Sequence, residues 1–294
     1  MLDQLQVFHD VYPGYAYSLY VVLGLLIGSF LNVVIYRLPL MLEKEWQREA
    51  AQVLRLAPEE AEDIDPPFNL AQPRSQCPGC GTTITAINNI PIISFLLLRG
   101  RCGQCKNSIS IQYPAIELAT GLATLFLIDH FDLSSAAGLA CLLTYALIAL
   151  SMIDYRTTLL PDSITLPVLW LGLLVNIDGT FTDLTSAVIG AIAGYLSLWS
   201  VYWGFKLLTG KDGMGFGDFK LLALLGAWLG WQMLPVIILL SSLAGAVIGL
   251  SLIALGRDKD HPIPFGPYLA IAGWMALIWG ESLTASYFGL LGGS

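Results

Sequence analysis

The sequence predicts an all-α polytopic membrane protein of about eight transmembrane helices, with one polar insert between the first and second. Three observations carry this. Of 294 residues, 55% are hydrophobic and only 12% are charged, whereas a soluble domain usually carries about 25% charged residues. The apolar residues fall in runs long enough to span a bilayer. One long polar stretch, residues 37–112, holds eight of the 14 Lys and Arg residues and four of the five cysteines.

The elements follow in order. Residues 1–36 contain no Lys or Arg, so the start lacks the basic n-region of a secretory signal. Residues 15–36 therefore read as a retained first span. Gly24, Gly28 and Ser29 are small residues at helical spacing, suited to close helix packing; Asn32 in the same span needs a polar partner. The insert opens with a charged amphipathic helix over 43–62, whose sparse apolar positions are Trp46, Val53, Leu54 and Leu56. Pro66-Pro67 and Pro73 end that pattern. Seven further spans are expected at about 113–128, 133–153, 164–177, 187–208, 221–233, 235–255 and 266–290. The uncharged run 221–255 is divided at Trp231-Gln232-Met233-Leu234-Pro235, an aromatic, polar and proline group suited to an interfacial turn. The chain thus divides into a first helix (1–38), an insert (39–112) and a membrane core (113–294).

Charge placement orders these spans. With eight of them, all 14 Lys and Arg residues fall on one side. Arg37 to Lys106 lie in or beside the first loop, and Arg156 follows the third span. Lys206, Lys211 and Lys220 flank a glycine-rich loop; Arg257 and Lys259 precede the last span. The opposite loops carry only acids: Asp129, Asp132, Asp178 and Asp183. The positive-inside rule makes the basic side cytoplasmic and places both termini outside. Were 221–255 a single span, Arg257 and Lys259 would lie outside, which favours the division. The net charge of −8 and the lack of a basic tract give no sign of a nucleic-acid partner.

Two features carry chemistry. Cys77-x2-Cys80 and Cys102-x2-Cys105, separated by 21 residues, have the form of a four-thiolate zinc site. Paired disulfides are the other reading, but the insert is expected to be cytoplasmic, where thiols stay reduced. With no histidine or open position, the site is closed and structural. Cys141, alone in an apolar span, reads as a packed core residue. The second feature is acidic. Asp154 ends the third span and Asp218 begins the sixth, 64 positions later, and both reach the cytoplasmic side. Ionisable residues at such places mark function by default. Paired aspartates share a proton, one acting as base on water while the other donates to a carbonyl. Read singly, Asp154 is equally a solvated helix-end carboxylate or a partner of Arg156. Asp162 is a rival, read first as structural because Pro161-Asp162-Ser163 also resembles a helix start with Asp162 or Ser163 as cap. Gly215, Gly217 and Lys220 surround Asp218; the glycines are expected to supply positive φ or close approach of a substrate strand.

Met214-Gly215-Phe216-Gly217-Asp218-Phe219-Lys220-Leu221 resembles the GxGD motif of intramembrane aspartyl proteases. With Ile153-Asp154, Leu160-Pro161-Asp162, the cysteine pairs, Asn88-Asn89-Ile90-Pro91, Leu98-Arg99-Gly100-Arg101-Cys102, Tyr113-Pro114-Ala115-Ile116-Glu117-Leu118 and Pro264-Phe265-Gly266-Pro267, the chain resembles the bacterial type IV prepilin leader peptidases along nearly its whole length. The resemblance implies a multi-pass enzyme of the bacterial inner membrane, with catalytic Asp154 and Asp218 at the cytoplasmic face. Its substrates would be type IV prepilins or the pseudopilins of type II secretion, cut after a glycine. It also implies N-methylation of the new N-terminus with S-adenosylmethionine, associated with the cysteine-bearing insert. No Gly-x-Gly-x-x-Gly fingerprint places that cofactor. Glu117, Arg99 and Arg101 are candidates for substrate or cofactor contacts, or for contacts with membrane lipids. Two other classes remain open from the residues alone: a non-catalytic membrane assembly factor, and a proton-coupled transporter using the same aspartates.

Overall fold

The computed structural model describes residues 2–54, 68–256 and 263–291. Leu56, Pro66-Pro67, Arg257 and Lys259 lie outside the described residues. Within them the chain is helical, apart from loops and two isolated β-bridges. Contacts divide it into two compact units, Met1–Ala137 and Gly138–Ser294.

In the first unit a short helix α1 (Leu2–Val11), not anticipated from the sequence, precedes α2 (Pro13–Val53). The expected separate helix over 43–62 is corrected: as far as it is described, it is the continuation of the first span, in one helix of 41 residues. Pro39 lies inside it and is buried. The ring removes one intrahelical bond, and the turns on either side hold the helix together. Arg37 anchors the polar chain beyond. Its Nη1 donates to the Asn69 carbonyl at 2.8 Å and its Nη2 to that of Pro73 at 2.6 Å, while the guanidinium lies over Phe68.

Helix α4 (Gln112–His130) packs antiparallel to the apolar half of α2. A Cβ on Gly24 would lie 2.8 Å from Gly121 Cα, and one on Gly28 only 2.7 Å from Glu117 Cα. Close backbone approach of this kind needs small residues. One turn further on, Asn32 Nδ2 donates to the carbonyls of Gly28 and Tyr113 at 3.2 and 3.1 Å. These are the partners the sequence demanded, although the buried Oδ1 has none. Between α2 and α4 lie two cysteine knuckles, a 3-10 turn (Ile87–Asn89) and the five-residue helix α3 (Ile93–Leu97).

The second unit contains α5 (Ser135–Thr157), which begins at the unit boundary, then α6 (Asp162–Val175), α7 (Leu184–Thr209), α8 (Phe216–Leu229), α9 (Leu234–Ala254) and α10 (Gly266–Leu291). Its centre is α8, where Asp218, Phe219 and every residue from Leu221 to Leu229 are buried. Glycines let the neighbours approach: Gly190 of α7 abuts Gly226, Gly172 of α6 abuts Trp228, and Gly273 of α10 abuts Leu225. The far end of α8 is closed by Asn176, which is fully buried. Its Nδ2 donates to the carbonyls of Ala227 and Trp228 at 2.9 and 3.0 Å, and its Oδ1 accepts from the backbone N–H groups of Phe181 and Thr182. Buried helix ends need such partners.

All eight expected spans are helices, and the division of 221–255 is observed. Helix α8 stops at Leu229, Gly230 takes φ 83°, and a 3-10 turn (Trp231–Met233) leads into α9. Among the described residues four segments are long and apolar enough to cross a membrane: Pro13–Val53, Ser135–Thr157, Leu184–Thr209 and Trp231–Ala254. Helices α6 and α8 have 14 residues each, about 21 Å at 1.5 Å per residue. Cys141 is packed within α5, as expected of a core thiol.

Candidate active site and cysteine cluster

Three helix ends of the second unit meet around two carboxylates. Asp154 lies in the last turn of α5, which ends at Thr157; Thr158 then leaves the helix with φ 53°. Asp218 lies in the first turn of α8, its N–H donating to the Gly215 carbonyl at 3.3 Å. The third end is the start of α10, where the Gly266 N–H donates to Asp154 Oδ2 at 2.9 Å. A helix N-terminus favours negative charge placed beside it. Asp154 is 5% exposed and Asp218 7%, and the two lie close enough for their charges to interact. The structure therefore brings together the two acids that the sequence singled out. Two neighbouring carboxylates do not both ionise easily.

Asp162 is placed differently from the reading of it as a cap. It is the first residue of α6, whose N-cap is Pro161, and no side chain caps this helix. Instead both its carboxylate oxygens accept from Lys220 Nζ at 2.7 Å. Lys220 thus ties the start of α8 to the start of α6. The glycine expectation is also corrected in part. Gly215 has φ −79° and Gly217 lies within α8, so neither uses positive φ. The constraint at Gly217 is steric, because a Cβ there would lie 2.7 Å from Leu160 Cβ. Gly215 has ordinary room, with Asp218 Oδ2 nearest at 3.8 Å. Leu160 also approaches Gly266, where a Cβ would come within 2.7 Å of Asp154 Oδ2. Leu160 and the Gly266 N–H were not singled out as site residues, although Leu160-Pro161-Asp162 and Pro264-Phe265-Gly266-Pro267 both belong to the motifs that carry the resemblance.

In the insert, the four sulfurs of Cys77, Cys80, Cys102 and Cys105 all lie within 4.8 Å of one another, and none is in a disulfide. The two knuckles repeat one design. Gly81 N–H donates to Cys77 O and Lys106 N–H to Cys102 O, with Gly81 at φ 69° and Lys106 at φ 62°. A bridge closes each, Gln76 to Thr83 and Arg101 to Ser108. Cys77 and Cys105 Sγ are 3.8 Å apart, about the edge of a tetrahedron with ~2.3 Å zinc–sulfur arms. Their chemistry also asks for a cation. Hydrogen bonds at Thr82 pull Cys80 down to about 6. Asn107 N–H favours the Cys105 thiolate, but burial and the three neighbouring thiols hold it up at about 11. A divalent ion among them would allow all four to ionise. Arg99 and Arg101 are exposed beside the second knuckle, and buried Glu117 accepts from the Ile92 N–H at 2.8 Å.

The comparisons with known proteins agree with this layout. Residues 22–131 match the model for the Bacterial Peptidase A24 N-terminal domain, and residues 141–250 match that of the Type IV leader peptidase family. A protein of Stutzerimonas stutzeri is 57% identical over 90% of this chain and 91% of its own length. One of Pseudomonas putida is 54% identical over 95% and 96%, and one of Pseudomonas aeruginosa 53% over 92% and 93%. Each carries the name prepilin leader peptidase/N-methyltransferase. No solved structure gives a significant match. The fold is that of a helical membrane protein that buries two carboxylates at helix ends. The chain belongs to the type IV leader peptidase family.

Proposed function

We propose that this chain is an aspartic endopeptidase of the bacterial inner membrane that removes the leader of type IV prepilins or type II secretion pseudopilins after a glycine, at the cytoplasmic face. The observation that supports it is the juxtaposition of Asp154 and Asp218, buried at helix ends in the family-matched region. The Gly266 N–H supports negative charge on Asp154, which makes Asp154 the group that takes a proton from the attacking water. Asp218 donates its proton to the scissile carbonyl; as the tetrahedral intermediate collapses, the proton that Asp154 took from water passes to the leaving amine, and Asp218 recovers its own from the gem-diol hydroxyl. Both acids fall within 113–294, the division we assign to cleavage. The exposed amine is then methylated with S-adenosylmethionine, a step we assign, with structural zinc on the four cysteines, to the insert 39–112. When bound, S-adenosylmethionine supplies the methyl group; the knuckles give that part of the chain a fixed shape.

The test is one reconstituted reaction with prepilin and S-adenosylmethionine, followed by mass spectrometry. Asp154→Asn and Asp218→Asn should each lower cleavage by about 10²–10⁴, the range of acid–base contributions, at matched membrane protein level. Either variant cleaving at the parental rate refutes the assignment. Substrate flux dependent on these carboxylates, without cleavage, would favour a transporter.

A further inference from the structure

Residues 87–97 of the insert display aliphatic side chains to the surroundings. Ile87 is 73% exposed, Ile93 55%, Leu96 67% and Leu97 77%, and Ile90 and Ile111 are exposed as well. Contiguous apolar surface of this kind marks an interaction site. A five-residue helix such as α3 also has no stability of its own in water.

The depth of this segment indicates what covers it. Glu117 stands level with Gly28 of α2, and its carboxylate holds the N–H of Ile92. Ile92 adopts φ 60°, ψ −49°, and the Ile93 N–H turns back to the Pro91 carbonyl. This is a tight γ-turn, strained at a β-branched residue, so the tether sets the position of α3. Gly28 precedes Arg37, the first basic residue of the chain, by nine positions, which is about 13 Å along a helix. The loop is thus fastened beside the apolar part of a membrane-length helix, well inside its first charge. On the same unit α4 also exposes Leu118 and Leu122.

Charge fits the same occupant. Residues 68–116 contain Arg74, Arg99, Arg101 and Lys106 and no acidic residue, in a chain of net charge −8. The difference of two positive charges that one zinc and four thiolates would take away leaves the stretch basic. Arg99 and Arg101 directly follow the aliphatic segment. Apolar side chains flanked by cations at interface depth are the pattern of an in-plane anchor in an anionic leaflet.

We infer that residues 87–97, with Ile111, insert their aliphatic side chains into the acyl boundary of an anionic phospholipid leaflet while Arg99 and Arg101 hold its headgroups. The inference rests on the membrane reading of the family but not on either reaction. It is tested with the full chain in nanodiscs of phosphatidylethanolamine and phosphatidylglycerol, carrying the photocrosslinking residue p-benzoylphenylalanine at position 96, 97 or, as an exposed polar control, 104. Irradiation should give lipid adducts at positions 96 and 97 at least tenfold above those at 104, with phosphatidylglycerol enriched over its share in the disc. A Leu97→Glu change should abolish the adduct at 96 while one zinc per chain is retained. Adducts from 96 and 97 to added prepilin or to a second copy of the chain, or lipid adducts no more frequent than at 104, overturn the inference. Loss of cleavage or methylation with these lipid adducts intact would instead count against the proposed enzyme.

Discussion

Gly217→Ala separates two explanations of the glycines beside Asp218. The added carbon would sit 2.7 Å from Leu160 Cβ and 3.1 Å from its Cδ1, where carbons prefer about 3.5–4.0 Å. Rotating the leucine moves Cδ1 but not Cβ, so the backbones must part by roughly 1 Å. Overpacking of this order costs about 1–3 kcal/mol. The gain of helix propensity from Gly to Ala returns up to ~1 kcal/mol, so the fold should survive. The displaced pieces are the start of α8, which carries Asp218, and the loop from Thr158 to Pro161, which follows Asp154. A misplacement near 1 Å is worth about a hundredfold in rate. Gly215→Ala meets nothing closer than 3.8 Å, and its φ of −79° suits alanine, so it should keep activity within a few-fold. Turnover of a prepilin is measured for both at equal protein level, with zinc content as a check on the insert. Full activity in Gly217→Ala would refute the steric argument. Equal, severe losses at both positions would show that the glycines serve the substrate and not Leu160.

Other substitutions follow from the same contacts. Cys77→Ser should lower zinc below one ion per chain and reduce methylation more than cleavage; equal losses of both activities would make the insert a general scaffold. Asn176→Ala strips partners from two carbonyls and two N–H groups, each costing about 1–3 kcal/mol when buried, so the thermal midpoint in detergent should fall by several degrees. An unchanged midpoint would mean that water replaces the amide. Lys220→Met removes a pair whose Asp162 side chain is 52% exposed; exposed pairs are worth at most about 1 kcal/mol. Cleavage should therefore fall less than tenfold, and a hundredfold loss would give Lys220 a direct part in the reaction.

The helices were legible because the chain is written in long apolar runs with Lys and Arg confined to one set of loops. Even the break at Gly230 was marked by its aromatic and proline neighbours. The aspartates were found because a carboxylate at the end of an apolar run is rare, and the cysteines because their spacing is a ligand pattern. What escaped was set by tertiary contact. The expected division between residues 38 and 39 falls inside one continuous helix, with Pro39 within it. Asp162 had the sequence of a cap, but Lys220, 58 positions away, claimed its carboxylate. Gly217 suggested backbone freedom, whereas the requirement comes from Leu160. The bond from Gly266 to Asp154 spans 112 positions, and no local pattern announces it.

Helices α6 and α8 fall about 9 Å short of a ~30 Å hydrocarbon layer. They begin at the same level, since Lys220 near the start of α8 grips Asp162 at the start of α6. At the other end Asn176 already satisfies α8 from within. As spans of the proposed enzyme the two helices would leave a hydrophobic mismatch, and the side left to take it up is the one where the aspartates lie. A bilayer meeting such short segments thins, and headgroups and water sink towards the shorter protein surface. Hydrolysis beside a membrane must obtain its water somewhere, and in the proposed enzyme the lengths of two helices would set how deep that water reaches.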